Sequence, residues 1–174
     1  IILNGTAEQE ITGDGTYAKL TINNPNGILV PTGNTITIDG TLKMQDGIFD
    51  IGRNLLVLTE NASINEASPF SESNMIQTNI SFTDAGVRKH FPEISSATQF
   101  IYPMGSVGKY TPVQFDITAC DAGGSIRVRA ADERHISIID DTEDPEINDL
   151  VNVLQYHWTL DANSIAGFSA TATM

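Results

Sequence analysis

The chain has 174 residues, and its 22 acidic side chains against 9 basic ones give a formal net charge of −13. That length predicts one domain or two small ones, with enough chain to bury a core without disulfides or a metal. A charged fraction of 18% excludes a charged disordered tail. The acidic balance repels phosphate backbones and argues against nucleic acid as a partner, and no apolar run reaches the roughly 18–20 residues of a membrane helix, so no membrane insertion is expected.

The chain opens Ile1-Ile2-Leu3, without Met and without the charged start of a signal peptide. It closes on Ala170-Thr171-Ala172-Thr173-Met174, an alternating strand pattern. Both ends are therefore expected to be internal to a longer protein.

Residues 1–68 show period-two alternation over four to six residues, broken by Gly, Asn, Asp or Pro. The strand cores are Leu20-Thr21-Ile22, Ile28-Leu29-Val30, Ile36-Thr37-Ile38, Leu42-Lys43-Met44, Ile48 through Ile51, and Leu56-Val57-Leu58. Each places two apolar side chains on one face. Between them lie Asn23-Asn24-Pro25-Asn26-Gly27, Thr32-Gly33-Asn34, Asp39-Gly40, Gln45-Asp46-Gly47 and Gly52-Arg53-Asn54, turn residues that accept φ > 0. Strands this short cannot bury a face alone, and a recurrence of roughly 15–20 residues suits one coil of a β-solenoid. Asp39-Gly40 by itself also reads as a two-residue hairpin turn, so a run of hairpins is the alternative.

The stretch from Ala67 to Asn74 is Ser-rich and contains Pro69, which marks a boundary with 69–74 as linker. Longer strands are expected beyond it, at Met75 to Thr83, Thr98 to Tyr102, Val113 to Ala119, Ser125 to Ala131, Val153 to Leu160 and Phe168 to Met174. The predicted fold class is all-β: a short, right-handed β-helix-like solenoid over 1–68 and an antiparallel β-sandwich over 75–174. Cys120, the single cysteine, reads as a small strand residue.

The block Phe100-Ile101-Tyr102-Pro103-Met104-Gly105-Ser106-Val107-Gly108-Lys109-Tyr110-Thr111-Pro112-Val113 resembles a Phe-x-[Phe/Tyr]-Pro-[Val/Met]-Gly-x-x-Gly-x-Tyr-x-Pro-Val motif. Very large cell-surface and secreted β-repeat proteins of Bacteroidetes carry that motif, many of them cargo of the type IX secretion route. The upstream repeat, from Gln9 to Asn24, Ile38 to Met44 and Gly52 to Leu58, and the downstream strand Gln155-Tyr156-His157-Trp158-Thr159-Leu160 are similar to theirs as well. The resemblance implies an extracellular, cell-surface location, a role in stalk, adhesion or gliding machinery, and no enzymatic activity. Neighbouring repeats or domains of the parent chain are the implied partners, with surface glycans or cell-envelope proteins beside them. The acidic segment after Arg134 departs from the family's pattern.

Read from its residues alone, the Pro-x-Gly block is a hairpin. Pro103 ends a strand, and Gly105 and Gly108 let the chain reverse. Tyr102 and Tyr110, expected at the sandwich edge, are its candidate ligand-binding residues. The run Asp140, Asp141, Glu143, Asp144, Glu146 and Asp149 contains no cation. It reads as a solvated acidic loop or, with Asp140, Asp141, Glu143 and Asp144 as ligands, as a calcium site. Arg127 and Arg129 share a strand face and are expected to pair with that acidic run. His90, His135 and His157 fall on unrelated strands, although His135 and His157 are able to meet across a sheet. Tyr156, Trp158 and Leu160 alternate as core residues do.

No nucleophile elbow, zinc motif, phosphate loop or dinucleotide fingerprint is present. The expected function is therefore a non-catalytic structural or adhesive segment of a large exported bacterial protein. The alternatives are a glycan-binding module and a fragment of a polysaccharide-acting enzyme.

Overall fold

A computed structural model describes residues 1–78, 81, 83–135 and 153–174. The described chain is all-β and contains no helix. Its first strands come in alternating pairs: β1 (Ile2–Leu3) and β2 (Gln9–Glu10), β3 (Gly15–Asn23) and β4 (Ile28–Leu29), β5 (Thr35–Asp46) and β6 (Phe49–Gly52). Next come β7 (Leu55–Leu58), β8 (Ser63–Glu66), β9 (Ile76–Thr78), β10 (Gly86–Phe91), β11 (Thr98–Tyr102) and β12 (Met104–Ser106). The remainder are β13 (Lys109–Tyr110), β14 (Val113–Ala119), β15 (Gly124–Ala131), β16 (His157–Asn163) and β17 (Ser169–Thr173).

These strands build a solenoid of about four turns, with one sheet ordered β1-β3-β5-β7-β10 and the other β2-β4-β6-β9-β12, every pair parallel. Stacked coils place like on like. Ile28 lies opposite Phe49, Phe49 opposite Ile76, and Ile76 opposite Met104. In the other sheet Ile36 faces Leu56 and Leu56 faces Val87. All of these side chains are fully or almost fully buried. Burying each contributes about 1.5–3 kcal/mol, which two-residue strands cannot supply without neighbours above and below.

The recurrence of roughly 15–20 residues stacks Ile36/Ile38 on Leu56/Leu58 but does not stack Leu20/Ile22 on Ile36/Ile38. Leu20 and Ile22 stack instead on Leu42 and Met44, because β3 and β5 are long strands. Asp39-Gly40 is not a hairpin turn. It is an extra residue within β5: Tyr17 pairs with Ile38 and Lys19 with Thr41, so two residues oppose the single Ala18. A Cβ at Gly40 would collide with the Ala18 carbonyl oxygen, so the bulge needs glycine. Beyond the bulge β5 pairs with β8 rather than β7.

Parallel pairing was expected to end at residue 68, but it runs on through β9, β10 and β12. The coil lengthens there from about 20 residues to about 30, because segments such as 67–75 loop out between strands. Residues 69–74 form one of these excursions. A turn with one antiparallel bridge, Ser71 exchanging two backbone hydrogen bonds with Asn74, closes it, and the Asn74 side-chain amide ties it to the carbonyls of Ser68 and Pro69.

The antiparallel half shares a sheet with the solenoid. β10 pairs parallel with β7 on one side and antiparallel with β15 on the other, and β16 continues from β15. A three-stranded antiparallel sheet, β11-β14-β17, covers this end. Phe91 of β10 meets Phe100 of β11 edge to face at 5.6 Å between ring centres. Tyr102, Phe115 and Phe168 extend the same aromatic layer, so one continuous core runs from the coils into the second layer.

Candidate functional site

β10 alternates like a half-buried strand. Val87 and Phe91 point inward, while Arg88 and His90 are partly exposed on the other face. Lys89 occupies an inward position, between Leu58 of β7 and Ile126 of β15, and is only 4% exposed. Its ammonium donates to the backbone carbonyls of Thr59 at 2.7 Å and Glu60 at 2.8 Å. Those carbonyls belong to the turn where the strand line passes from β7 to β8, and Lys89 satisfies acceptors that no β-ladder reaches.

The same nitrogen lies 5.8 Å from the Phe91 ring centre and 5.7 Å from that of Phe100, within cation–π range. Burial lowers its pKa from the usual lysine value to about 8, opposed by the negative charge of Glu60. Lys89 borders an open cleft of about 390 Å³, walled by Phe91, Pro92, Ile94 and Phe100 and rimmed by Glu60 and Glu93. A second cleft of about 310 Å³ lies on the other side of Gln99 and Phe100, against Ile64 and Phe70. On the outer face His90 is pushed below its ordinary pKa by burial and by the charges of Arg88 and Lys89.

Tyr102 is a core residue, not an edge residue. It is fully buried, and its hydroxyl donates to the Ile126 carbonyl at 2.9 Å. Burial raises its phenol well above the ordinary tyrosine range. The inward phase of β11, set by Phe100 and Tyr102 opposite Phe115 and Val113, leaves it no surface for a ligand. Tyr110 is half-buried in β13, and burial, then the charge of Glu66, raises its pKa. The two tyrosines therefore do not share a face. The Pro-x-Gly block is a hairpin as expected: Ser106 pairs with Lys109, and Val107-Gly108 form the tip. Asp140, Asp141, Glu143 and Asp144 lie outside the described residues, as do Glu146 and Asp149.

A polar cluster closes the far side of the hairpin. The Lys109 ammonium donates to both Asp132 oxygens, at 2.6 and 2.7 Å, and the Ser106 hydroxyl to one of them at 3.2 Å. Tyr156 and Thr111 join through their hydroxyls, and the Trp158 indole donates to the Thr111 carbonyl at 3.2 Å. Ser106 is fully buried and Tyr156 only 9% exposed, so this cluster fastens the hairpin to β15 and β16 rather than offering a face to a ligand.

Arg127 and Arg129 both bond Asp161 across β16, at 2.8 and 2.9 Å. The register that sets Arg127 directly opposite Asp161 provides this partner, which sequence proximity to the acidic run did not suggest. Burial pushes the Asp161 carboxyl up, but the Arg127 hydrogen bond and the two arginine charges outweigh it and hold the pKa below the usual value. The rings of His135 and His157 do meet, with centres 4.9 Å apart. Among the described residues no group of three or more His, Cys, Asp or Glu side chains converges as a metal site.

Sequence reasoning does not single out Lys89 or its cleft, and only His90 of the run Arg88-Lys89-His90 draws notice there. The available signal was phase: Val87-x-Lys89-x-Phe91 puts the lysine where an apolar residue belongs. Comparison with protein-family models, with curated proteins and with solved structures found no match for this chain.

Proposed function

We propose that the chain is a non-catalytic structural and adhesive segment of a large exported bacterial surface protein. The observation that carries this reading is the stack itself. Parallel coils bury a ladder of Ile, Leu, Phe and Met and turn Thr, Asn and Lys outward, which makes a stiff element whose length grows by adding coils. The net charge of −13 keeps such an element soluble and apart from its neighbours. The antiparallel layer over β10 and β15 extends the same core at one end of the stack.

The test uses source cells and an antibody against this segment. Expected is a band far above 18.8 kDa that disappears when intact cells are shaved with protease. A small, protected, soluble band would overturn the reading. A glycan-binding role is favoured by one observation, the aromatic-walled cleft beside Phe91 and Phe100, and not by Tyr102. Saturable glycan binding that survives Tyr110→Ala and is lost in Phe100→Ala would assign it there.

A further inference from the structure

We infer that the cleft above Lys89 is a reactive-amine site, which captures a neutral, hydroxylated aldehyde as an imine on the Lys89 nitrogen. The inference does not rest on the surface role proposed above, since the cleft would be the same in a protein of any location.

The placement of Lys89 is the first argument. Its neighbours across the sheet, Leu58 and Ile126, are apolar, and the next inward residues on its own strand are Val87 and Phe91. A leucine or methionine would fill this position without the desolvation that a buried ammonium suffers. Lys89 nevertheless lines an open cleft, although the residue is only 4% exposed.

Its partners are the second argument. Among the described residues no carboxylate lies within ion-pair distance of Lys89. Two carbonyl oxygens take two of its three donors, which leaves one N–H to spare. With only the charge of Glu60 to oppose it and no carboxylate paired to it, burial dominates, and a pKa of about 8 leaves about one molecule in ten with a neutral, nucleophilic amine at neutral pH. The charged groups around it are few. Glu60 and Glu93 stand at the cleft rim, and Arg88 and His90 lie on the opposite face of β10.

The cleft selects the ligand. Phe91 and Phe100 give it apolar walls, and Ser95, Ser96, Thr98 and Gln99 line it with hydroxyl and amide groups suited to a polyol. Two rim carboxylates disfavour an anionic aldehyde. The reaction is balanced without any oxidant or reductant. The amine nitrogen bonds to the carbonyl carbon to give a carbinolamine, the C–O bond then breaks, and the oxygen leaves as water with the two amine protons, giving C=N. The rings near the nitrogen favour the protonated imine by the same cation–π attraction they exert on the ammonium.

The experiment treats the native protein with glyceraldehyde and cyanoborohydride, which reduces the imine to a stable amine, and maps the products by mass spectrometry. Lys19, Lys43 and Lys109 are internal references. Lys89 is expected to be labelled about tenfold faster than any of them near neutral pH, with a rate that saturates in glyceraldehyde. The preference should vanish in guanidinium, and glyoxylate, an anionic aldehyde, should label Lys89 more slowly than glyceraldehyde does. If Lys89 is the slowest of the four, as a sealed strut for the Thr59 and Glu60 carbonyls would be, the inference fails. It fails equally if labelling is linear in aldehyde, or if the preference persists after unfolding.

Discussion

At Tyr102 a phenol is buried where the coils meet the antiparallel layer, its ring 4.9 Å from Phe100 and 6.0 Å from Phe115, both edge to face. Tyr102→Ala should cost about 3–5 kcal/mol, because a large ring leaves a cavity that strands on both sides cannot close. Tyr102→Phe keeps the ring and removes the hydroxyl's bonds to the Ile126 carbonyl and the Lys89 backbone, so about 1–2 kcal/mol is expected, as measured by denaturant unfolding. Lys89 gives a pH signature. Its pKa is lower in the folded protein than in the unfolded chain, so below pH 8 both states are charged and the folded state bears the full burial cost. From about pH 8 to the unfolded value of 10.5 the folded state alone is deprotonated, and stability rises with pH. Wild type should therefore gain on Lys89→Met across that window, by on the order of 2 kcal/mol, in paired urea melts. An unchanged difference would show that Lys89 is hydrated in the folded state.

Each element of the solenoid depends on its corners as much as on its strands. Positive φ at the turns falls to glycines such as Gly27, Gly33 and Gly47, while the buried asparagines contribute side-chain bonds instead. Asn54 donates to the carbonyl of Val30 and accepts from the amides of Gly33 and Asn34, joining one coil to the next with three bonds, and donates to the Ile51 carbonyl within its own turn. Asn24 bonds the Ala7 carbonyl and the Asn26 amide in the same manner. Asn54→Leu should cost about 3 kcal/mol or more, because it leaves buried backbone groups without partners. Gly47 combines a φ of 97° with a Cβ position blocked by the Asn24 carbonyl oxygen, so Gly47→Ala should be at least as damaging by thermal melt. A Tm unchanged by both substitutions would mean that the corners do not bear on stability.

Across the whole molecule, protection should follow how many strands flank each strand. β5, β7 and β10 are paired on both sides and lie over the core, whereas β1 and β2 have two residues each and one neighbour, and β17 is an exposed edge. Hydrogen exchange should therefore be slowest in β5 and β10 and fast in residues 1–10 and β17, spanning several orders of magnitude. Strong protection in residues 1–10 of the isolated monomer would contradict this gradient.

Alternation and turn chemistry were enough to read the class, the short coils, and strands such as β11 and β14 at their observed limits. They also gave the Val107-Gly108 hairpin, since Pro103, Gly105 and Gly108 act through their own backbones. What depends on pairing partners was not legible. Ile36 opposite Leu56 follows from a regular interval, but Leu20 opposite Leu42, the bulge at Asp39-Gly40 and the switch of β5 from β7 to β8 depend on register, which no local pattern encodes. β10 shows the limit most plainly. Its Arg88-Lys89-His90 run reads as polar, yet three-dimensional pairing places it between β7 and β15, sends Arg88 and His90 outward and buries Lys89 beside a cleft. A period of two determines which residues share a face. Only the packing of the second layer decides which face is covered, and with it that Tyr102 is core and Lys89 the amine at the cleft.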